Sequence, residues 1–360
     1  MGFFWDIREL FGIKVFDIIQ IEITSRCNAK CKMCPKTHLR DWKSGDMHME
    51  TFSSISSFFR MANYIHLQGW GEPLLHPELE TMIKMIKKAP SRCGFTTNGH
   101  LLFKERINRF IDMEVNIIAI SLAGTNKAIH EAVRAGTDFT KIMENVEYLS
   151  NERKKRSLRF PELVLLLIMT PQNMHQLPDF VRMGAELGAD RVVANNVDLV
   201  PCQEIDKFRV FGFEDEGEKY KDFVAEAKEL AKEKGVDFRI YPISPEEKGV
   251  CEADPINNVY IAFDGCVSPC VYLGLPVMEI PIYRHDSFWS IPRRCFGNVN
   301  EESLIDIWKK EEYLTFRDMF RKRKKMFTID IIISAFLGAK PKSNFPVPNE
   351  CKECYKLFGF

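Results

Sequence analysis

The sequence predicts an α/β fold: a partial (β/α)6 barrel of TIM type followed by a small cysteine-rich C-terminal domain. Three observations carry this. Six short apolar runs alternate with amphipathic ones from residue 18 to residue 234. The runs are apolar almost without interruption, as expected of parallel strands covered on both faces. Six of the eleven cysteines then fall beyond Gly249, after the punctuation of Pro242 and Pro245, which sets a boundary there. The chain accordingly divides into an N-terminal amphipathic segment (1–17), a barrel (18–245) and a C-terminal domain (246–360).

Taken in order, Phe3, Phe4, Ile7, Leu10 and Phe11 recur at helical spacing and predict a short helix packed across the barrel. Strands are predicted at Ile18–Thr24, Tyr64–Gln68, Cys93–Thr97, Asn116–Leu122, Leu163–Thr170 and Arg191–Val197. Helices are predicted at Met49–Met61, Glu78–Lys88, Phe103–Met113, Asn126–Val133 with Phe139–Asn151, His175–Leu187 and Gly217–Lys234. Chemistry in such a barrel sits at the carboxyl ends of the strands. Beyond the boundary, Val259–Phe263 reads as a strand, Asp264-Gly265 as a hairpin turn and Cys266–Cys270 as the returning strand. Phe296 to Val299 leads into an amphipathic helix, Glu302–Phe320, and Met326 to Pro348 reads as an insertion before Cys351 and Cys354.

Length and composition set bounds. At 360 residues the chain can bury a large core. Lys plus Arg and Asp plus Glu are both 50, so no global charge points to nucleic acid or an anionic membrane. Met1 to Leu10 carries Asp6 and Glu9 and lacks the apolar core of a signal peptide, so the expected location is the cytoplasm. In that reducing compartment clustered cysteines are metal ligands more often than disulfides. The longest apolar candidate, Ile329 to Leu337, is interrupted by Asp330 and Ser334 and falls short of the roughly 20 residues of a membrane span. The basic runs Arg153–Arg159 and Arg321–Lys325 read as solvated helix ends. His38, His48, His66, His76, His100, His130, His175 and His285 show no ligand spacing. Cys93 reads as structural, as does Cys202, although Cys202 follows the last barrel strand and could face the cavity.

The chemistry-bearing stretch is Cys27 to Pro35, with Cys27, Cys31 and Cys34 spaced C-x3-C-x2-C just after the first strand. Three thiolates are one short for structural zinc or for an electron-carrying ferredoxin cluster. A four-iron cluster held by three leaves one iron open to a ligand. The alternatives are a redox dithiol or half of a zinc site at Cys31 and Cys34. After the second strand, Gly69-Trp70-Gly71-Glu72-Pro73 combines close backbone approach, a fixed turn and a carboxylate able to accept charge-assisted bonds from an ammonium.

The cysteine spacing and the Gly69 to Pro73 turn resemble the radical S-adenosylmethionine (SAM) superfamily, with its C-x3-C-x2-C loop and GGEP element. Trp70 stands where that family usually has a second glycine, and Met33 where it has an aromatic. The resemblance implies a [4Fe–4S] cluster on Cys27, Cys31 and Cys34, with SAM chelating the open iron and cleaved to a 5'-deoxyadenosyl radical. It also implies that Gly69, Trp70, Gly71, Glu72 and Pro73 hold the SAM amino group. Thr97 and Asn98 resemble the family's TNG turn, and Ser121 and Arg134 resemble the groups that meet the SAM carboxylate or ribose, a task suited to a planar guanidinium. Thr170 is a further, weaker match.

Beyond residue 250 the order of parts resembles the SPASM extension of these enzymes: a cysteine, a DG-x-V-x-PC hairpin, a GN-V turn, a helix containing Ile307-Trp308 and a final C-x2-C. The resemblance implies an auxiliary [4Fe–4S] cluster on Cys251, Cys270, Cys351 and Cys354. Cys266 and Cys295 lie outside that pattern; they either replace one of the four, ligate a second cluster, or sit buried. A structural zinc is the alternative for this set. The stretch Ile21 to Arg26 with Gly69 to Gly71 looks most like maturases associated with tungsten-cofactor oxidoreductases. The implied partners are an electron donor such as ferredoxin or flavodoxin and a substrate that is a small molecule, cofactor precursor or peptide. The two rival readings are a peptide-modifying maturase working with a separate recognition protein, and a non-catalytic iron–sulfur or zinc carrier.

Overall fold

The computed structural model describes residues 14–284, 286–337 and 345–360. The expected N-terminal helix on Phe3 to Phe11 and His285 lie outside the described residues. Strands form where the apolar runs predict them: β1 Phe16–Ile21, β2 Ala62–Leu67, β3 Arg92–Thr97, β4 Ile117–Leu122, β5 Glu162–Ile168 and β6 Arg191–Asn195. They pair in that order, all in parallel.

One face of each strand is sealed. Ile19 and Ile21 of β1, Ile65 and Leu67 of β2, and Leu165 and Leu167 of β5 are fully buried. The other face looks into the barrel and is only half-buried at Gln20, His66, Thr96, Ser121 and Asn195, which bring polar groups into the lumen beside Leu166 and Ile168. A hydrogen-bonded string joins its first three strands. Gln20 Nε2 donates to the Gln68 carbonyl (3.1 Å), Thr96 Oγ1 to Gln68 Oε1 (3.1 Å), and His66 Nε2 meets Thr96 Oγ1 (3.1 Å). Burial pushes the His66 imidazole down to about 4, which keeps it neutral at physiological pH.

The helices cover the sealed face. Leu79–Ile86 buries Leu79, Met82, Ile83 and Ile86 at three- and four-residue spacing, and Lys104–Asp112 and Phe139–Lys155 repeat the pattern. Asn126 and Asp138 cap the helices that follow them by accepting from the amides of Ile129 and Lys141. The predicted helix Met49–Met61 is an α-helix only to Ser54 and continues as a 3-10 helix, Ser56–Met61. The hydroxyls of Ser54 and Ser56 bond to backbone carbonyls there, which competes with regular helix. Not every residue of the basic runs is solvated: Arg153 pairs with Asp190 at 2.6 Å, and Arg323 is 1% exposed and pairs with Glu247.

The sheet extends past the six predicted strands. β7 Asp237–Ile240 adds in parallel to β6, β8 Asn258–Ile261 adds in parallel to β1 at the other edge, and β9 Val267–Ser268 pairs antiparallel outside β8. Two charges in four residues hide β7 from an apolar-run reading. β8 and β9 are the predicted hairpin, with Gly265 at φ +85° in the turn, where a Cβ would also lie 2.4 Å from Asn298 Oδ1. The sheet therefore continues across residue 245 into the C-terminal segment. A second hairpin, β10 Glu279–Arg284 with β11 Ser287–Pro292, stands outside this sheet, and Pro281 and Pro292 mask it in the sequence.

The predicted helix Glu302–Phe320 is two helices, Leu304–Lys309 and Glu311–Leu337. Lys310 turns out of helical geometry between them, its ammonium bonded to Glu302 and to the Phe296 carbonyl. The second helix runs on through much of the stretch expected to be an insertion. Among the described residues, no helix is long and apolar enough to cross a membrane.

Candidate active site

The chain leaves β1 through Glu22 to Arg26 and enters the loop of Cys27, Cys31 and Cys34. Short-range bonds hold this loop: the Cys34 amide donates to the Cys31 carbonyl (3.1 Å), and Thr37 Oγ1 donates to the same oxygen (2.9 Å). Lys30 and Cys31 pair antiparallel with Ala135 and Arg134, and Asn98 Nδ2 donates to Asn28 Oδ1 at 2.8 Å. The three cysteines line one cavity together with Gly69, Trp70, Gly71, Glu72, Thr97, Asn98, Ser121 and Arg134. Pro73 alone of the predicted set lies off this wall, buried at the start of the 3-10 turn Pro73–Leu75. Thr170 is a correction as well: it is fully buried away from the cavity wall, and its amide donates to Asn173 Oδ1 at 2.8 Å.

The Gly69 to Pro73 turn is packed beneath the cysteine loop. A Cβ on Gly71 would lie 2.1 Å from the Thr24 carbonyl oxygen and 2.6 Å from that of Arg26, and one on Gly69 would overlap the Glu22 side chain. Only glycine fits either place. Glu72 differs from the free acceptor that its sequence context implies. It is 2% exposed, and its oxygens accept from the Leu74 amide (3.1 Å), Thr97 Oγ1 (2.7 Å) and the Asn98 amide (2.7 Å). Burial raises its carboxyl, and those bonds work against the shift. With most of its acceptor capacity used internally, Glu72 fixes the Thr97–Asn98 turn against the cavity.

The electrostatics suit a cationic cluster. Burial pushes the Cys27 thiol up to about 11 and Cys34 up to about 12, and neighbouring thiols oppose ionisation further. A bound metal centre would supply the positive charge that favours the thiolate forms of Cys27 and Cys34. Arg134 adds a second mark: its Nη1 lies 3.9 Å from Cys31 Sγ and its Nε is buried without a partner. A buried guanidinium nitrogen left open beside the cavity fits an anionic ligand group.

The sequence reading missed the far wall, formed by Leu166, Ile168, Asn195, Asn196, Asp198 and Leu199 at the ends of β5 and β6. Polar residues directly after a strand were the available signal. It also missed Glu22, fully buried just after β1, which accepts from the Trp70 amide at 2.8 Å. Burial raises its carboxyl to about 7. Trp70 reaches toward the C-terminal domain, where its indole N–H donates to the Val271 carbonyl (3.0 Å) and its ring meets that of Tyr272 edge-on (6.0 Å).

Cys251, Cys270, Cys351 and Cys354 line a second cavity. Burial raises all four thiols, Cys270 to about 12. Cys266 and Cys295 are not spare ligands in this structure. They are bonded to one another as a disulfide; Cys266 is buried, as the third expectation has it, while Cys295 is exposed. Cys93 is buried in β3, and Cys202 stands at the residue before the short helix Gln203–Asp206 and is absent from both cavity walls. Among the described residues, no three His, Cys, Asp or Glu side chains converge tightly enough for a single metal ion.

The sequence matches the radical SAM superfamily over residues 21–184 and the SPASM iron–sulfur cluster-binding domain over residues 251–355. It is 29% identical over 306 residues to the tungsten-containing aldehyde ferredoxin oxidoreductase cofactor-modifying protein of Pyrococcus furiosus, covering 83% of this chain and 82% of that one. It is 28% identical over 198 residues to a PqqA peptide cyclase of Bradyrhizobium diazoefficiens, covering 52% of this chain and 48% of the cyclase. The fold is similar to that of Streptococcus suis SuiB bound to S-adenosylmethionine, with a TM-score of 0.63 and 14% identity over 87% of this chain and 71% of SuiB.

Proposed function

This chain belongs to the radical SAM superfamily and carries a SPASM domain, and from that premise we propose that it abstracts hydrogen from a substrate during maturation of a tungsten-pterin type cofactor or its enzyme. It is an enzyme whose cofactors are SAM and [4Fe–4S] clusters. Bound together, cluster and SAM supply reductive cleavage of a sulfonium carbon–sulfur bond, which releases methionine and a 5'-deoxyadenosyl radical.

The residues divide that work. Cys27, Cys31 and Cys34 would hold the cluster and leave one iron for the amino and carboxylate groups of SAM. Arg134, with its Nε open, takes the carboxylate. Gly69 and Gly71 let the backbone approach, while Glu72 orients Asn98 through its amide and Thr97 through its hydroxyl. Ser121 offers a hydroxyl from the end of β4, and Trp70 walls the side toward the C-terminal domain. Cys251, Cys270, Cys351 and Cys354 would hold the auxiliary cluster that accepts or relays an electron from the oxidised substrate, with ferredoxin or flavodoxin as the external donor.

The observation that carries this reading is the convergence of three cysteines, two close-packed glycines and an open guanidinium nitrogen on one cavity at the carboxyl ends of the strands. The substrate class rests on likeness to the Pyrococcus furiosus protein across most of both chains. A second reading, modification of a peptide delivered by a separate recognition protein, is favoured by the partial match to the peptide cyclase. The deciding experiment uses protein reconstituted without oxygen and supplies either a pterin cofactor precursor or candidate peptides, with 5'-deoxyadenosine formation as the readout. The proposal predicts acceleration by the precursor. Acceleration by a peptide alone transfers the case to the second reading, and absence of 5'-deoxyadenosine under all conditions sinks both.

A further inference from the structure

The two cysteine cavities share a wall, and Asp198, just beyond β6, stands in it. Its Oδ1 accepts from Tyr272 Oη at 3.0 Å, and its Oδ2 pairs with Lys356 Nζ at 2.6 Å. Carboxylate and ammonium side chains are 14% and 9% exposed, so this is an interior pair. Lys356 also lies 3.5 Å from Glu252 Oε2, and its ammonium sits 4.2 Å above the ring of Tyr241, which follows β7. Tyr272 is two residues from Cys270, Lys356 two from Cys354, and Glu252 adjoins Cys251. One side chain from the barrel, directly or through Lys356, thus ties together three separate cysteine-bearing segments.

We infer that Asp198 is the positioning residue that fastens the four-cysteine set to the barrel and balances the charge beside it. The inference rests on the reading that this set holds an auxiliary cluster. Those segments are distant in sequence and share no local motif, so their mutual placement comes from tertiary contacts. Removing one partner of a buried ion pair leaves the other uncompensated, which costs more than an exposed pair ever contributes. A reduced cluster carries one more negative charge than the oxidised one. Deleting the carboxylate removes a negative charge beside the set, which favours reduction and raises the potential.

The test compares reconstituted full-length wild type with Asp198→Ala and Asp198→Asn, reading iron content and the auxiliary midpoint potential by EPR-monitored redox titration. Wild type is expected to hold about eight irons per chain in two four-iron clusters. Asp198→Ala, which removes both contacts, is expected to fall to about four, with loss of the auxiliary signal. Asp198→Asn keeps the shape and an acceptor for Tyr272, so it retains the auxiliary cluster with its potential shifted upward. An unshifted potential in Asp198→Asn overturns the inference even if Asp198→Ala fails to fold. Only about four irons in wild type would remove the auxiliary cluster itself, and this inference with it, an outcome distinct from the first.

Discussion

The two cysteine regions are assembled by opposite routes. Cys27, Cys31 and Cys34 sit on one loop, fixed by bonds to Thr37 and by the ladder to Arg134 and Ala135. Cys251, Cys270, Cys351 and Cys354 come from three stretches that only the tertiary fold brings together, through contacts such as Asp198 with Tyr272 and Lys356. A local motif would place its ligands and leave a face of the cluster for a reacting partner. A dispersed set of four would surround its cluster and make that cluster's stability a property of the contacts between barrel and extension.

The sharpest way to break this comparison is to remove one cysteine from each region. Cys31→Ala should reduce 5'-deoxyadenosine to background and lower iron by about four per chain. Cys270→Ala should lose the same iron yet still cleave SAM. Equal loss of cleavage in both variants would mean the regions do not act separately.

Next in size is Gly71→Ala, whose added carbon meets backbone oxygen on two sides. We expect a stability loss of about 3 kcal/mol, measured by chemical denaturation under anaerobic conditions. Arg134→Met should weaken SAM binding roughly 30-fold, equivalent to about 2 kcal/mol for a charge-assisted contact, in an equilibrium binding measurement. An unchanged affinity would remove Arg134 from the ligand set.

The contact between the regions has its own pH signature. Glu22 holds the Trp70 amide, and burial raises its carboxyl from 4.5 to about 7. A group whose pKa is raised in the folded state binds its proton more tightly there. Its contribution is complete below about pH 4.5 and is lost as pH rises through about 7. Glu22→Gln should flatten the fall in stability between pH 5 and pH 8 by up to roughly 3 kcal/mol relative to wild type. Parallel pH profiles would exclude this role. The smallest effect expected is that of Trp70→Phe, which keeps the ring near Tyr272 but removes the indole donor to Val271, at about 1 kcal/mol in the same denaturation assay.

What the sequence made legible follows the same division. The six barrel strands, their helices and the three-cysteine loop announce themselves through periodicity and spacing, because their signals lie within a few residues. The far wall at Asn195, Asn196 and Asp198 did not, since nothing local says which polar strand end faces a cavity. β7 is too short and charged to stand out, and β10 and β11 are masked by proline. Glu72 was read as an open acceptor because its partners, Thr97 and Asn98, lie one strand away. The Cys266–Cys295 bond joins residues that spacing alone does not connect.

The most direct test of the central claim is EPR of the reduced, reconstituted protein with and without SAM, using wild type and Cys270→Ala. Wild type is expected to show two cluster signals, of which SAM perturbs one, and Cys270→Ala to retain only the SAM-responsive signal. A signal that survives in Cys270→Ala but ignores SAM would contradict that claim.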